Sequence, residues 1–318
     1  MADADLRDLI ATVTSAYAGG DQDAALWGKL QELGLSDLTG SDARGGSDAG
    51  WGEAVELVSA LARAGSRLPV GDSDLVAGWV LDSVGGEHPQ ALRTAWWDDG
   101  SDPAPELHPL VERVTVFRVE NEQPVFTDVA VEELRARLGS GAWAESTTWS
   151  PLPVETAELV ALRASLVRAV QVVSALETAT DIAVAHAASR SQFGQPLIKF
   201  QAVQALVADL ASETALARAA TAAAVRVLIG HGDDLEVLRP AVAVARSCVG
   251  HGAAIVSRAV HQVVGAIGTT QEHPLHRHTH AMLTWRSQFG DTRSADEQVL
   301  ALALAGARFS DLDLEPTQ

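Results

Sequence analysis

The chain has 318 residues, a formal net charge of −19 at pH 7 and one cysteine, Cys248. The negative charge argues against nucleic acid or an anionic membrane surface as a partner. A single cysteine excludes an internal disulfide framework and favours a reducing cytoplasm. The start of the chain is acidic, unlike a signal peptide. The sequence shows no run of some 18 apolar residues, which a membrane-spanning helix would need. Abundant alanine, leucine and valine, with only 5% aromatic residues, favour a mainly α fold.

The first part of the chain contains four segments with apolar residues at helical spacing. Glycines end each segment, and Asp72 or Ser73 is a candidate cap for the fourth helix. These features predict an N-terminal helical domain over residues 1–88, with helices at 3–18, 26–33, 53–64 and 72–81.

The composition of the sequence changes between residues 89 and 153. Prolines are frequent there, and two stretches alternate between apolar and polar side chains. This pattern predicts a small β region with strands at 111–119 and 124–131. From residue 154 to residue 318 the pattern is helical again, with short loops. It predicts an antiparallel four-helix bundle with helices at 159–189, 201–229, 235–264 and 296–309.

A polar loop containing Gly194 and Pro196 separates the first two helices of this bundle. Arg190, Gln192 and Phe193 place a fixed cation, an amide and a flat apolar ring within four residues. Such a turn suits a ligand that carries phosphates and a stacking base. Taken by themselves these residues are equally compatible with ordinary packing between helices.

Closely spaced glycines follow the third bundle helix, at Gly265 and Gly268. Glycine is the common residue at a helix end, and it also lets another molecule approach the backbone. The pattern alone leaves both interpretations open.

The two segments together resemble the acyl-CoA dehydrogenase family. Its motif R-x-[QT]-F-G-x-x-[IL]-x-x-[FH]-Q-[AS]-[VI] is matched by Arg190, Gln192, Phe193, Gly194, Phe200, Gln201 and Ala202. Its motif Q-x-x-G-G-x-G-x-x-x-E-x-P is matched by Gln262, Gly265, Gly268, Glu272 and Pro274, with Ala266 in place of the second glycine. The resemblance covers nearly the whole chain, is strongest from 159 to 275, and implies the family fold with a shortened middle β region.

The resemblance implies roles in binding FAD. Arg190 would pair with the pyrophosphate, Gln192 would hydrogen-bond there, and Phe193 would pack by the adenine end. Gln262 and the backbone around Gly265 and Ala266 would also meet the ADP half. In this family these contacts reach across a dimer to the FAD held mainly by the other subunit. A bidentate guanidinium and backbone amides suit a pyrophosphate chemically.

The family's catalytic base, a glutamate that removes the α-proton of the thioester, has no counterpart. Counting from Pro274 puts Phe289 at its usual position, and the second family location falls on Ala164. Asp291 is the nearest acid and is a weak candidate base. No counterpart of the family's T-E-P-x-A-G-S-D stretch over the flavin ring is present, and the nearest text is Trp96–Asp102.

With these departures from the family pattern, the chain resembles the short subunit of heteromeric α2β2 acyl-CoA dehydrogenases of actinobacterial steroid side-chain degradation. The resemblance implies a cytoplasmic, non-catalytic subunit that supports the FAD of a homologous catalytic partner acting on an acyl-CoA. Two alternatives remain open. One is a self-sufficient FAD acyl-CoA dehydrogenase that uses Asp291 as its base, and the other is a structural helical subunit without FAD.

Other polar residues suggest no further chemistry. The spacing of the histidines at positions 273, 276, 278 and 280 does not favour a zinc site and predicts a solvated polar loop. Three arginines on the long helices are predicted to be surface charges: Arg218, Arg226 and Arg246.

Overall fold

The computed structural model of the chain describes residues 4–18, 22–42, 45–85, 89–98 and 107–306. The chain forms two compact units. The N-terminal unit comprises Met1–Tyr17, Asp21–Val58 and Arg67–Val167, and the C-terminal unit comprises Ala18–Gly20, Ser59–Ser66 and Arg168–Gln318. The mainly α fold with a small sheet confirms the predicted fold class. The division into domains at 1–88, 89–153 and 154–318 stays a prediction.

The N-terminal unit begins with helices that follow the predicted apolar spacing. Leu26 and Leu30, one turn apart, are fully buried, and this contact face fixes α2 in the unit. The helices are α1 (Ala4–Ala16), α2 (Asp23–Glu32) and α3 (Trp51–Arg63), whose last turn belongs to the C-terminal unit.

The fourth predicted helix begins as a π-helix, Asp72–Gly78, which continues into α4 (Trp79–Ser83). In a π-helix the hydrogen bond reaches five residues, so the carbonyl of Ser73 faces Gly78. A Cβ at Gly78 would lie 2.8 Å from that carbonyl oxygen, and glycine is therefore required there. Regular helical spacing in the sequence could not have indicated this wider turn.

The π-helix buries Asp74, which accepts hydrogen bonds from the Leu38 amide (3.2 Å), the Thr39 amide (3.1 Å) and the Thr39 hydroxyl (2.6 Å). Burial, with a smaller contribution from the charge of Asp37, raises the pKa of Asp74 to about 7. An acid whose pKa is higher in the folded state than in the unfolded state binds more protons when folded. Its contribution to stability is therefore complete below pH 3.8 and is lost as the pH rises through about 7.

We expect Asp74→Asn to remove this pH dependence. Relative to the unchanged chain, the variant should gain up to about 4 kcal/mol in free energy of unfolding between pH 4 and pH 8. Urea denaturation of both proteins across that range measures the difference. Thr39→Val is the companion variant, because loss of the hydroxyl hydrogen bond should move the window to higher pH. A stability difference that stays constant with pH would contradict the assignment.

A four-stranded sheet in the order β1-β2-β3-β4 completes the N-terminal unit. β1 and β2 are parallel, and the other neighbours are antiparallel. The β2–β3 turn at Asn121 and Glu122 has φ of +49° and +65°, as a type I′ hairpin requires. The elements are β1 (Arg93–Trp97), β2 (Arg113–Glu120), β3 (Gln123–Ala130), α5 (Val131–Ser140) and β4 (Ser150–Pro151).

The sequence did not predict β1, which contains Trp96 and Trp97 of the stretch compared with the flavin-ring loop. Trp96 is buried, and the Trp97 ring stacks on Phe117 with centroids 5.8 Å apart. These two tryptophans therefore pack the sheet. Positions 99–102 of the same stretch lie outside the described residues.

The C-terminal unit contains the long helices of the predicted bundle and one helix that was not predicted, α9. Its elements are α6 (Val154–Ser189, shared with the N-terminal unit), β5 (Ser191–Gln192), β6 (Gln195–Pro196), α7 (Gln201–His231), α8 (Leu235–Val264), α9 (Leu275–Trp285) and α10 (Thr292–Leu304). α7 and α10 both pack against α8. α10 begins four residues before its predicted start, because the Asp291 carboxylate accepts a hydrogen bond from the Ser294 amide (2.8 Å) and caps it.

Among the described residues, one helix, α6, is long and apolar enough to cross a membrane by length and composition alone. Within its most apolar stretch, 89% of the residues are buried inside the protein. This burial is typical of a core helix in a globular unit, and it accounts for the apolar composition.

Candidate functional site

The polar loop between α6 and α7 is a β-hairpin. Its base is closed by Arg190, whose carbonyl accepts a hydrogen bond from the Leu197 amide (2.8 Å) and whose amide donates to His186 (2.9 Å). At the tip, Phe193 and Gly194 have φ of +52° and +81°, the pattern of a type I′ turn. The hairpin holds Arg190, Gln192 and Phe193 at one end of the C-terminal unit.

The Phe193 side chain is 91% exposed, and its ring meets Phe200 edge to face with centroids 6.3 Å apart. A bulky residue at positive φ is rare, and such backbone strain persists where the surroundings or a function demand it. The Arg190 guanidinium forms no hydrogen bond or ion pair with any residue that the structure describes. The hairpin therefore offers a cation and an aromatic face to another molecule.

The second predicted segment lies at the C-terminal end of α8. Gly265 has φ of +75°, its amide donates to the His261 carbonyl (2.8 Å), and no atom lies within 4 Å of a Cβ placed there. Gln262 and Ala266 are exposed. Gly268 is different, because a Cβ there would lie 2.9 Å from Leu275 and 3.0 Å from Val264. Gly265 is thus open for an approaching molecule, whereas Gly268 is required for packing.

The ends of α6 and α8 flank the same loop. The charge of His273, in the loop before α9, lowers the pKa of His186 on α6 and that of His261 on α8, in each case after the larger effect of burial. His186 was not singled out from the sequence, although its position one helical turn before Arg190 was a usable signal.

The usual position of the family's base is occupied by an aromatic and basic group. Phe289 has φ of +54°, and its ring centroid lies 5.2 Å from the guanidinium carbon of Arg168. Arg168 is buried and donates hydrogen bonds to Gln288 (2.6 Å) and Gln171 (2.9 Å). A guanidinium beside this position favours bound anions and would lower the pKa of any carboxylate placed there.

The second family location, in the N-terminal unit, also lacks an acid. Ala164 is fully buried, and the neighbouring Arg163 guanidinium stacks over Trp79 at 3.8 Å. Asp291, the weak candidate base, is an exposed residue whose carboxylate caps α10.

Two predictions about polar residues are wrong. The histidines expected in a solvated loop include His278 on α9, which is 5% exposed and whose pKa burial lowers to about 4, with smaller contributions from the charges of Arg277 and His276. Arg246, expected at the surface, is 5% exposed and donates to three backbone carbonyls of the α9–α10 loop. Arg218 and Arg226 are exposed, as predicted.

The exposed groups are chemically suited to the ADP half of a dinucleotide. A guanidinium without a partner among the described residues can pair with phosphate oxygens, and the Phe193 ring can contact a base. The open backbone at Gly265 allows a ligand to approach the end of α8. The residues therefore fit the FAD contacts that the resemblance implies.

Comparisons with known proteins identify the domain and the fold. The profile described as "Acyl-CoA dehydrogenase, C-terminal domain" matches residues 157–301. Acyl-CoA dehydrogenase FadE34 of Mycobacterium tuberculosis is 33% identical over 186 residues, which are 57% of this chain and 26% of FadE34. The chain spans about a quarter of the length of the curated relatives it matches.

Solved structures match the fold over nearly the whole chain. The ChsE4-ChsE5 complex from Mycobacterium tuberculosis gives a TM-score of 0.76 at 19% identity, covering 97% of this chain and 99% of that chain. The Tcur3481-Tcur3483 steroid ACAD gives a TM-score of 0.77 at 18% identity, covering 95% and 97%. The likeness to these structures shows the fold of the chain, and residues 157–301 match the acyl-CoA dehydrogenase C-terminal domain.

Proposed function

We propose that this chain is the non-catalytic subunit of a heteromeric, FAD-dependent acyl-CoA dehydrogenase. Its hairpin and the end of α8 contact the ADP half of FAD, and a homologous catalytic partner supplies the base. When bound, FAD provides the hydride acceptor for α,β-dehydrogenation of a CoA thioester. Arg190 neutralises the pyrophosphate, Phe193 packs by the adenine end, and Gln262 with the backbone of Gly265 and Ala266 completes the contact.

The observation that carries the proposal is a contrast within the C-terminal unit. Arg190 and Phe193 are exposed and could contact a ligand. The position where the family has its base is instead occupied by Phe289, with the Arg168 guanidinium beside it. A proton-abstracting carboxylate needs a pKa near the operating pH, and a neighbouring guanidinium moves the pKa the wrong way. Binding features without a base are expected of a subunit that completes another subunit's site.

The exposed surface of α7 supports a protein partner. It carries small apolar side chains together with Leu216 (55% exposed) and Ile229 (53% exposed). Small residues allow a second helix to approach closely, and exposed apolar surface of this kind marks interaction sites. The exposed small residues on α7 include Ala205, Ala208, Ala211, Ala215 and Ala219.

The substrate and location are further parts of the proposal. One similar structure is a complex of two components and another is a steroid ACAD, so this fold serves assemblies and substrates of that kind. We propose a bulky, steroid-derived CoA thioester as the substrate class. A single cysteine and the burial of the apolar helix α6 support a cytoplasmic location.

The test is the ratio of FAD to protein in the chain purified alone and after co-expression with the dehydrogenase encoded next to it. We expect flavin absorbance only in the co-purified complex, at less than one FAD per chain. Full flavin occupancy in the lone chain would overturn the shared site. A stable complex without flavin would favour the structural alternative.

A separate variant tests Asp291 as a base. Asp291→Asn removes the charge but keeps a good helix cap, since asparagine and aspartate cap equally well. We expect turnover of the complex to change by less than about twofold, whereas removal of a general base costs about 10²- to 10⁴-fold. Steady-state kinetics measures this, with thermal unfolding to verify that the cap is intact. A hundredfold loss of turnover would establish the self-sufficient alternative.

A further inference from the structure

The N-terminal unit contains a cavity of about 430 Å³ that no step of the proposed function uses. Its walls are α2, the loop that joins α2 to α3, the π-helix with α4, and the residues that lead into β1, all within the same unit. Three lining residues, Gln31, Gly45 and Gln90, are exposed, so the cavity is reached from solvent. Its volume lies within the range of about 300–1,000 Å³ that is usual for small-molecule sites.

The wall formed by the loop after α2 is held in place without a ligand. Asp74 in the π-helix accepts a hydrogen bond from the Leu38 amide (3.2 Å). Across the loop, the Ser47 amide donates to the Asp37 carbonyl (3.2 Å), and the Ala49 amide donates to the Leu38 carbonyl (2.7 Å). Because this wall is already ordered, a ligand that enters the cavity avoids much of the cost of immobilising the loop.

Two acidic side chains line different walls of the cavity, Asp37 from the loop and Asp82 from α4. No residue that the structure describes donates a hydrogen bond to the Asp37 carboxylate. A carboxylate on the wall of a cavity attracts a positively charged ligand and repels an anion. The sign of the charge on these walls therefore favours a cation.

Arg93 is the basic side chain among the described lining residues, and its donors are already used within the protein. It is 3% exposed, and its Nε donates to the Asp128 carboxylate (3.2 Å). Its two terminal nitrogens donate to the carbonyls of Ala91 (3.2 Å) and Pro89 (2.7 Å). An anion in the cavity would thus meet two carboxylates and a guanidinium whose hydrogen bonds are made elsewhere.

An aromatic ring, that of Trp27 on α2, forms part of the same cavity. Trp27 is half-buried, and its ring makes no aromatic or cation–π contact with any residue that the structure describes. The rings of Trp79 and Trp149, by contrast, are covered by the guanidinium groups of Arg163 (3.8 Å) and Arg118 (3.5 Å). The face of Trp27 is available to a cation from solvent, and tryptophan is the aromatic residue that attracts cations most strongly.

We propose that this cavity binds a small organic ammonium ion, whose charge pairs with Asp37 and Asp82 and whose alkyl part packs on the Trp27 ring. A metal ion is a poorer occupant, because the described residues form no group of three His, Cys, Asp or Glu side chains that could hold one. The net charge of −19 adds a long-range attraction for cations. The site goes beyond the proposed function and shares no residue with the FAD contacts.

The first experiment compares three four-carbon probes that differ in charge: butane-1,4-diamine, butane-1,4-diol and succinate. Each is titrated into the full chain, with calorimetry for the affinity and NMR of the ¹⁵N-labelled tryptophan indoles for the location. We expect the diamine to bind about tenfold or more tightly than the diol, and succinate not to bind. The Trp27 indole signal, assigned by its loss in Trp27→Phe, should shift with the diamine. Equal affinity for the diol, tighter binding of succinate or no binding of the diamine would overturn the proposal.

Variants of the chain separate the site from the overall charge. Asp37→Asn should weaken diamine binding about tenfold, and Trp27→Leu about three- to tenfold. Asp181→Asn makes the same change in net charge at an exposed position of α6 and should leave the affinity unchanged. Asp82→Asn tests the second wall if Asp37→Asn disturbs the loop, and thermal unfolding verifies that each variant is folded. Equal diamine affinity in Asp37→Asn, Asp82→Asn and Asp181→Asn would mean that the acidic surface as a whole attracts the diamine, and would overturn the site.

Discussion

Replacing Arg190 with alanine is expected to remove most of the FAD from the co-purified complex while leaving the complex assembled. The exposed guanidinium has no described protein partner, so the change should not disturb the fold. Charge-assisted hydrogen bonds contribute about 1.5–3 kcal/mol, which corresponds to an affinity for FAD lower by about ten- to a hundredfold. Flavin absorbance after size-exclusion chromatography, followed by FAD titration of the depleted complex, measures the loss.

Two variants control for charge and geometry. Arg226→Ala removes an exposed arginine from α7 and should retain full flavin. Arg190→Lys keeps the positive charge but loses the planar fork that matches two phosphate oxygens, so its affinity should fall between the two. A complex with Arg190→Ala that still holds its full FAD would contradict the assigned pyrophosphate contact. Unchanged assembly without any flavin in either protein would favour a purely structural subunit.

The sequence predicted the long helices well because their signals are local. α8 runs from Leu235 to Val264, the predicted bounds, since the Asp234 side chain accepts from the Glu236 amide (3.0 Å) at its start and Gly265 turns the chain at its end. Both signals are readable from residue types. β2 and β3 were placed to within two residues for the same reason, because period-2 alternation spans each strand.

The sequence could not reveal elements whose partners are distant. β1 is five residues long and pairs in parallel with β2. Its sequence alone did not predict a strand, because the pairing with β2 is not visible in the local pattern. α9 contains three histidines and two threonines, and only the structure shows that one of them, His278, packs by Gly65 after the end of α3. Helical periodicity weakens when a buried position is occupied by a titratable residue.

The candidate site was located by its motif residues, while its surroundings required coordinates. Arg190 and Gly265 are more than 70 positions apart, and the pattern alone does not show how each residue is held or exposed. Likewise, the absence of a glutamate at position 289 is plain in the sequence, but the guanidinium of Arg168 beside it is not. A local sequence pattern cannot predict which side chains of another helix will lie beside a given residue.

The backbone of the α9–α10 loop is held by a buried cation, Arg246, and its removal is expected to have a large effect on stability. Arg246 donates from Nη2 to the carbonyl oxygens of Arg286 (3.0 Å), Gln288 (2.9 Å) and Gly290 (2.5 Å). In this loop Phe289 has φ of +54° and Gly290 has φ of +90°. Two successive residues with left-handed backbone persist only where hydrogen bonds over-determine them.

We expect Arg246→Met to lower the free energy of unfolding by about 3 kcal/mol, because the methionine keeps the apolar stem but removes the donor to three part-buried carbonyls. In a unit of this size that corresponds to a melting temperature lower by about 6–12 °C. Differential scanning calorimetry measures the shift, and hydrogen exchange should show faster opening of the loop amides. Arg226→Met makes the same change on the exposed side of α7 and should alter stability by less than about 0.5 kcal/mol. Equal stability of the two variants would mean that the α9–α10 loop is held by its other contacts, and that the conformation of Phe289 at the base position does not depend on Arg246.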